Sequence, residues 1–298
     1  MNKMKKDELK NILDENDKYV ILTNGVISEA SFDINSLDIK DNVEFKLIHY
    51  IDEDTTFNIT INENVKAKIE EIYFLITKDV RIDENIHCMR NSYLDLFSYE
   101  NTKDCKIRTN VATHLDEGSY INNKTVFLFD KESEVNSNTY LDGKNSMCEA
   151  MNVIINGSTK KQNFNYNTFH IAEASTSKMT SYGICKGDSL LNINTNGIIK
   201  KDAKATSLWQ KSKGLLLDKT SQISANPWLQ IDEFDCLASH GASIGAIDDE
   251  ELYYLMSRGL SKETSERLIV EGFISPCLSQ IESKKLSEYL SKVISKKL

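Results

Sequence analysis

The runs Phe164-Asn-Tyr-Asn-Thr-Phe169 and Leu190-Leu-Asn-Ile-Asn-Thr195 decide how this chain folds. In both, apolar and polar side chains alternate with a period of two, which on an extended backbone sends one set to each face of a sheet. Working outward, the same alternation recurs in Phe45-Lys-Leu-Ile-His-Tyr50, Phe57-Asn-Ile-Thr-Ile61, Ile72-Tyr-Phe-Leu-Ile76, Thr125-Val-Phe-Leu-Phe129, Ala150-Met-Asn-Val-Ile-Ile155 and Trp228-Leu-Gln-Ile231. Asn, Asp, Gly and Ser turns separate these segments, and hardly any helical periodicity interrupts them between residues 18 and 246. A doubly wound parallel sheet is excluded, because its crossovers are helices. A sandwich, a propeller or a parallel β-helix remains. Few two-residue hairpin signals occur beyond Asn24-Gly25, which favours the β-helix. So do asparagines at strand faces and corners (Asn163, Asn165, Asn167, Asn192, Asn194, Asn196), where stacked coils form amide ladders. No hexapeptide or nonapeptide repeat accompanies them.

Helical patterns flank the strands. Leu9, Ile12 and Leu13 fall at helical spacing and predict one short helix over 3–16. Beyond residue 246, Asp248 and Glu251 have capping-box spacing, Leu252, Leu255 and Met256 form an apolar stripe, and Gly259 suits a left-handed C-terminal cap. Ser261 caps a second helix expected to end at Phe273, with Leu268, Ile269 and Phe273 on one side and Pro276 beyond it. A third is expected over about 278–296, carrying Ile281, Leu286, Leu290 and Val293. The chain thus divides into an N-terminal helix (1–17), a strand-rich core (18–246) and a C-terminal helical region (247–298).

Composition narrows the function. At 298 residues, 40% hydrophobic and 27% charged, the chain reads as globular rather than disordered. Its net charge of −9 argues against nucleic acid, whose binding rests on clustered Lys and Arg. No window approaches the roughly 20 apolar residues of a membrane span. The opening MNKMKKDELKNILDEN lacks the apolar stretch of a signal peptide. A cytoplasmic protein with neither membrane nor nucleic-acid partner is expected. Six cysteines (Cys88, Cys105, Cys148, Cys185, Cys236, Cys277) include no C-x-x-C pair, which disfavours disulfides and a zinc knuckle. Most should be small buried residues. No G-x-x-x-x-G-K-[ST] loop occurs, so this chain holds no nucleotide by that route.

Residues 227–276 carry a more specific signal. They read PWLQIDEFDCLASHGASIGAIDDEELYYLMSRGLSKETSERLIVEGFISP and resemble the C-terminal signature of the SufB/SufD family. The elements are Ser239-His240-Gly241-Ala242-Ser243-Ile244-Gly245, Ile247-Asp248, the run from Glu251 to Leu260, and Glu266 to Phe273. Weaker similarity continues upstream through His170, Thr176-Ser177, Tyr182-Gly183-Ile184, Asp202-Ala203, Gln210 and Leu215-Leu216-Leu217-Asp218-Lys219. The resemblance implies a mainly β chain, a right-handed parallel β-helix with helical ends, serving as a non-enzymatic scaffold for iron–sulfur cluster assembly. It further implies a homodimer or a SufB–SufD-type heterodimer, a SufC-like ABC ATPase that supplies ATP hydrolysis, sulfur arriving indirectly from a cysteine desulfurase, and a transient cluster of the 4Fe–4S type. The ATPase would dock on the C-terminal helices, with Leu252, Tyr253, Tyr254, Leu255, Arg258, Glu266, Arg267 and Ile269 as the expected contacts.

The segment Glu233-Phe-Asp235-Cys236-Leu-Ala-Ser-His240 offers carboxylate, thiol and imidazole within eight residues. Thiolates hold nascent clusters, and weaker, exchangeable ligands suit a site that must release its cargo. On one strand, positions 236 and 240 share a face roughly 13 Å apart, too far to hold one iron. A site across a twofold interface is therefore expected, with Cys236 and His240 as ligands and Glu233 and Asp235 as further candidates. Two positions depart from the family pattern. Lys211 stands where SufB sequences usually place a cysteine, and Ala238 where SufD-like sequences often do. Lys211 supports an alternative reading, a SufD-like subunit that aids iron entry without a cluster of its own. A β-helix enzyme acting on polysaccharide is a remote third reading. Of the remaining candidates, His170 is expected to be a satisfied core histidine and Cys185 a buried one, while His49, His87 and His114 have no supporting company in the sequence.

Overall fold

The structure, a computed structural model, describes residues 9–102, 104–157, 160–278, 281 and 283–297. The alternating segments become strands Tyr19–Thr23 (β1), Val26–Ala30 (β2), Asp38–Ile39 (β3), Val43–Ile51 (β4), Thr55–Ile61 (β5), Lys66–Leu75 (β6), Asp79–Cys88 (β7), Tyr93–Asn101 (β8) and Lys106–Leu115 (β9). They continue as Tyr120–Leu128 (β10), Ser133–Leu141 (β11), Met147–Asn156 (β12), Lys161–His170 (β13), Thr176–Cys185 (β14), Leu190–Ile199 (β15), Thr206–Leu216 (β16), Gln222–Ile231 (β17) and Cys236–Ala246 (β18). From β3 onward, successive strands alternate between two parallel sheets, sheet A holding the even-numbered strands and sheet B the odd. The chain is a parallel β-solenoid of about eight turns. At its start β1 and β2 form an antiparallel hairpin. Asn24 and Gly25 turn it, with φ of 49° and 79°, the left-handed pair that a tight two-residue hairpin favours.

A repeat becomes visible once the coils are stacked. Asn64, Asn91, Gly118, Asn145, Ala174 and Ala205, at intervals of 27, 27, 27, 29 and 31 residues, all have left-handed backbones. The amide of each donates to a carbonyl of the next coil: Arg90, Glu117, Lys144, Glu173, Lys204 and Asp235 respectively, at 2.6–3.2 Å. A corner of the solenoid is thus tied coil to coil. On the outer face of sheet B an amide ladder runs parallel to it. Asn110 donates to Asp83, Asn136 to Asn110, Asn165 to Asn136, Asn194 to Asn165 and Asn226 to Asn194, at 2.7–3.1 Å. Asn192 on Asn163 and Asn167 on Asn138 add further rungs, as their alternation suggests. A stacked amide satisfies donor and acceptor at once, so the ladder carries polar groups along a solvent face without orphaning them.

Two apolar layers result. Inward residues such as Leu47, Ile69, Leu94, Phe127, Phe164 and Ile193 fill the coil. Outward residues of sheet A, among them Tyr99, Val126, Val153 and Tyr182, are covered by helices Lys262–Leu278 (α2) and Lys284–Lys297 (α3) through Val270, Ile274, Cys277, Leu286, Leu290 and Ile294. A further helix, Asp249–Ser257 (α1), buries none of its side chains. Asp218 fastens the turn into β17: burial pushes its carboxyl up, but bonds from the Gly187, Ser221 and Thr220 amides and the Thr220 hydroxyl outweigh this and bring it down to about 2.

The helices differ from expectation in three ways. The first, expected over 3–16, is helical over 9–12, and residues 3–8 lie outside the described part. Its end is set by lysines: Lys46 donates to the Ile12 carbonyl and Lys285 to that of Leu13, each at 2.6 Å, satisfying oxygens that another helical turn would have used. The second helix runs on through Pro276 to Leu278. Proline has no amide for the Gly272 carbonyl, and the Ser275 hydroxyl bonds that oxygen at 2.9 Å instead. Leu268, expected on one side with Ile269 and Phe273, is 41% exposed, because the inward face runs through Ser265, Val270, Ile274 and Cys277. The third helix starts at Lys284 rather than near 278, and residues 279, 280 and 282 lie outside the described part.

Candidate functional site

The last coil of the solenoid has an open edge among the described residues. β17 and β18, the last strands of the two sheets, have a neighbour on one side only among the described residues. Edge strands of this kind normally carry charge or are covered. Here the end presents apolar side chains: Phe234 is fully exposed, Trp228 69%, Leu237 67%, and Ile231 and Ile244 are also open. Motif spacing does not single these residues out as a group, although large apolar side chains at both parities of one short segment (Phe234, Leu237) are the signal that points to them.

Cys236 and His240 both lie on β18, paired in register with Thr206 and Gln210 of β16. Register gives Cys236 a second context. Ser92, Ser119, Ser146, Ser175 and Thr206 follow the five left-handed corners from Asn91 onward, and all are buried. The paired strands place Cys236 next in this column. A thiol replaces the hydroxyl at the last rung, half-buried against Ala203 and Leu208, with Sγ 3.2 Å from the Glu233 carbonyl. Burial, Glu233 and Asp235 push its ionisation up. Cys236 is therefore a thiol at neutral pH, and a metal would have to displace its proton.

Glu233 is engaged locally. Its carboxylate accepts from the Asp235, Phe234 and Asp202 amides at 2.8–3.1 Å, and these bonds hold it below the usual carboxylate range. It caps the final corner, where no further coil supplies a carbonyl ladder. Asp235 is exposed beside it, and its carbonyl accepts from Ala205. Of the four ligand candidates, Cys236 and His240 share a strand, and Glu233 and Asp235 sit in the turn that precedes it. Among the described residues, no three His, Cys, Asp or Glu side chains converge on one metal position.

Beside His240 a groove of about 670 Å³ crosses sheet A, walled by Met179, Lys178, Trp209, Lys211 and Ser243. Lys211 of β16, at the position where the family pattern suggests cysteine, lies opposite Gly241 in register. The histidines read as unaccompanied have carboxylate partners one coil away. His49 meets Glu71 at 2.8 Å, His87 meets Asp116 at 3.1 Å and His114 meets Asp142 at 2.7 Å. His170 is a satisfied core residue, bonded to Ser175 and Ser177 at 2.7 Å each. Burial lowers its basicity, to about 4. Cys185 is buried.

The expected docking residues fall on α1 and α2. Tyr253 is 75% exposed, Tyr254 is exposed with Arg258 stacked 5.1 Å over its ring, and Leu252 and Leu255 are half-buried. Glu266 and Arg267 form pairs within α2, with Lys262 and Glu271. Ile269 turns toward the layer under the helices.

The SufBD core domain of the SUF iron–sulfur cluster assembly system matches residues 54–273. The chain belongs to the SufB/SufD family. It is 34% identical over 169 residues to the iron–sulfur cluster assembly protein SufD of Bacillus subtilis, covering 57% of this chain and 38% of that protein. A SufBD family protein of Pyrococcus horikoshii is 42% identical over 102 residues, 32% of this chain and 22% of the relative. SufD of Escherichia coli is 29% identical over 111 residues, 37% and 25% of the two chains. The chain thus matches well under half the length of these SufD and SufBD relatives. Among its described residues no helix is long and apolar enough to cross a membrane.

Proposed function

We propose that this chain is a scaffold subunit of a SUF-type iron–sulfur cluster assembly complex, working through its open last coil. The observation that carries this reading is the bare edge at β17 and β18, with Cys236 and His240 on it and Phe234, Trp228 and Leu237 around it. A second subunit laid along this edge, a copy or a related chain, would cover the apolar side chains and set a second Cys–His pair opposite the first. The cluster is cargo: two thiols and two imidazoles from two chains are a sparse set that a recipient can strip. Family membership sets the polysaccharide-enzyme reading aside.

The α1–α2 hairpin is the docking surface for a partner ATPase of the ABC type, with Tyr253, Tyr254 and Leu255 at its centre. An amphipathic helix that buries no side chain in its own chain retains its apolar surface for another. Tyr253→Asp leaves the fold intact, because the ring is solvated, and is expected to weaken co-purification of the ATPase at least tenfold. Retention at parent levels would refute this docking surface.

A specific observation favours the second reading, a SufD-like subunit without its own cluster. Lys211 occupies the groove where the family pattern suggests a thiol, and Cys236 is held protonated by its surroundings. Anaerobic reconstitution of the complex with ferrous iron and sulfide separates the two. As a scaffold, Cys236→Ala and His240→Ala each lower cluster retention by roughly tenfold or more. Full retention in both variants would assign the cluster to the sister subunit.

A further inference from the structure

Inside the early coils three carboxyl groups are buried. Glu71 of β6 and Glu100 of β8 enter from sheet A and Glu84 of β7 from sheet B, with exposures of 0%, 4% and 5%. Neighbours from five strands face them. His49 of β4 lies 2.8 Å from Glu71, and the Ser98 hydroxyl of β8 donates to the other oxygen of Glu71 at 2.8 Å. Tyr73 of β6 donates to Glu84 at 3.5 Å, and Thr109 of β9 donates to Glu100 at 3.3 Å. Tyr166 of β13 is buried near Glu100, whose charge acts on its phenol.

His49 is the only one of these neighbours able to carry a positive charge. The buried lysines of the early coils point the other way, Lys46 to Asp17 and Glu70, and Lys124 toward Asp95. Three carboxylates against at most one imidazolium would leave two uncompensated negative charges in a dry interior. Protonating a carboxyl at neutral pH costs less than burying such a charge. Two buried atoms beside the triad, Glu84 Oε1 and the Tyr166 hydroxyl, have no hydrogen-bond partner among the described residues, so the space around the carboxyls retains unused capacity to share a proton.

We propose that Glu84 and Glu100, packed beside Glu71, form a proton-binding site inside the solenoid, filled at neutral pH, so that base loosens the early coils. Burial and Glu71 push Glu100 up to about 8, and burial with Glu71 and Glu100 raises Glu84 well above the usual carboxylate range. In the unfolded chain both ionise near their ordinary value of about 4.3. A value raised on folding means that the stabilisation is complete only below the unfolded value of about 4.3 and is lost progressively as pH climbs from there through about 8. Nothing in the open end or the docking helices bears on these three carboxyls, so the site stands apart from the proposed scaffold role.

Thermal unfolding of the full chain from about pH 6 to about pH 10 tests it. The unfolding temperature falls as pH rises from about 6 through about 8, and Glu84→Gln with Glu100→Gln removes most of that fall. A second measurement needs no variant: denaturing the parent chain in unbuffered solution at pH 7 releases about two protons. A parent profile that is flat between about pH 6 and about pH 8, a double variant with the parent's slope, or denaturation without proton release overturns the proposal.

Discussion

Gly143→Ala is expected to lower the unfolding midpoint by roughly 6–10 °C, the shift that about 3 kcal/mol produces in a chain of this size. The corner between β11 and β12 is one residue longer than the corner below it, between β9 and β10. The extra residue folds down onto the lower coil, where the Gly143 and Asp142 amides both bond the Leu115 carbonyl at 2.9–3.0 Å. A Cβ built on Gly143 would stand 1.9 Å from the Glu117 nitrogen and 2.2 Å from the Asp116 carbonyl carbon. Those are backbone atoms fixed by the corner ladder, so they cannot rotate aside. Relief requires lifting one coil off the next. Gly272→Ala is the control: nothing lies within 4 Å of its added methyl, and in mid-helix it should leave stability unchanged or raise it by about 0.5–1 kcal/mol. Equal melting of Gly143→Ala and the parent would show that the coils are not in contact there.

Phe234→Asp with Leu237→Asp is expected to abolish pairing of the chain, by itself or with a sister subunit, weakening association by at least 100-fold. Both side chains are solvent-exposed in the single chain, so the substitution leaves its fold and melting unchanged. In a pair they would sit at the centre of the covered edge, where a buried carboxylate without a partner costs several kcal/mol. Sedimentation or light scattering of the parent and the variant reads the outcome. A parent that stays monomeric, alone and with its sister subunit, or a variant that still pairs, would rule out this edge as the interface.

Much of the fold is written locally. Phe164 to Phe169 and Leu190 to Thr195 alternate because one face packs in the coil and the other stands in the amide ladder, and both causes act within a single strand. The coil repeat is harder to read. Its corner residue needs only a left-handed backbone, which Asn, Gly and Ala all supply here, and its interval drifts from 27 to 31 residues. Neither short motif nor fixed period survives that freedom. The same distance hides the partners of His87 and His114, which sit 28–29 residues away on the next coil. Cys236 shows both limits. As a thiol near His240 it reads as a ligand, and only stacking reveals that it also ends a column of buried hydroxyls. Pro276 reads as a helix terminator because proline removes a donor, yet one serine hydroxyl is enough to carry the helix past it.

A stack in which each coil touches only the coils above and below behaves like a one-dimensional chain of coupled units. With β17 and β18 bare on one side among the described residues, unzipping should start at β18 and travel backward. Whatever settles on that terminus therefore acts as a stopper as well as a companion, and slows fraying in proportion to how often it is in place.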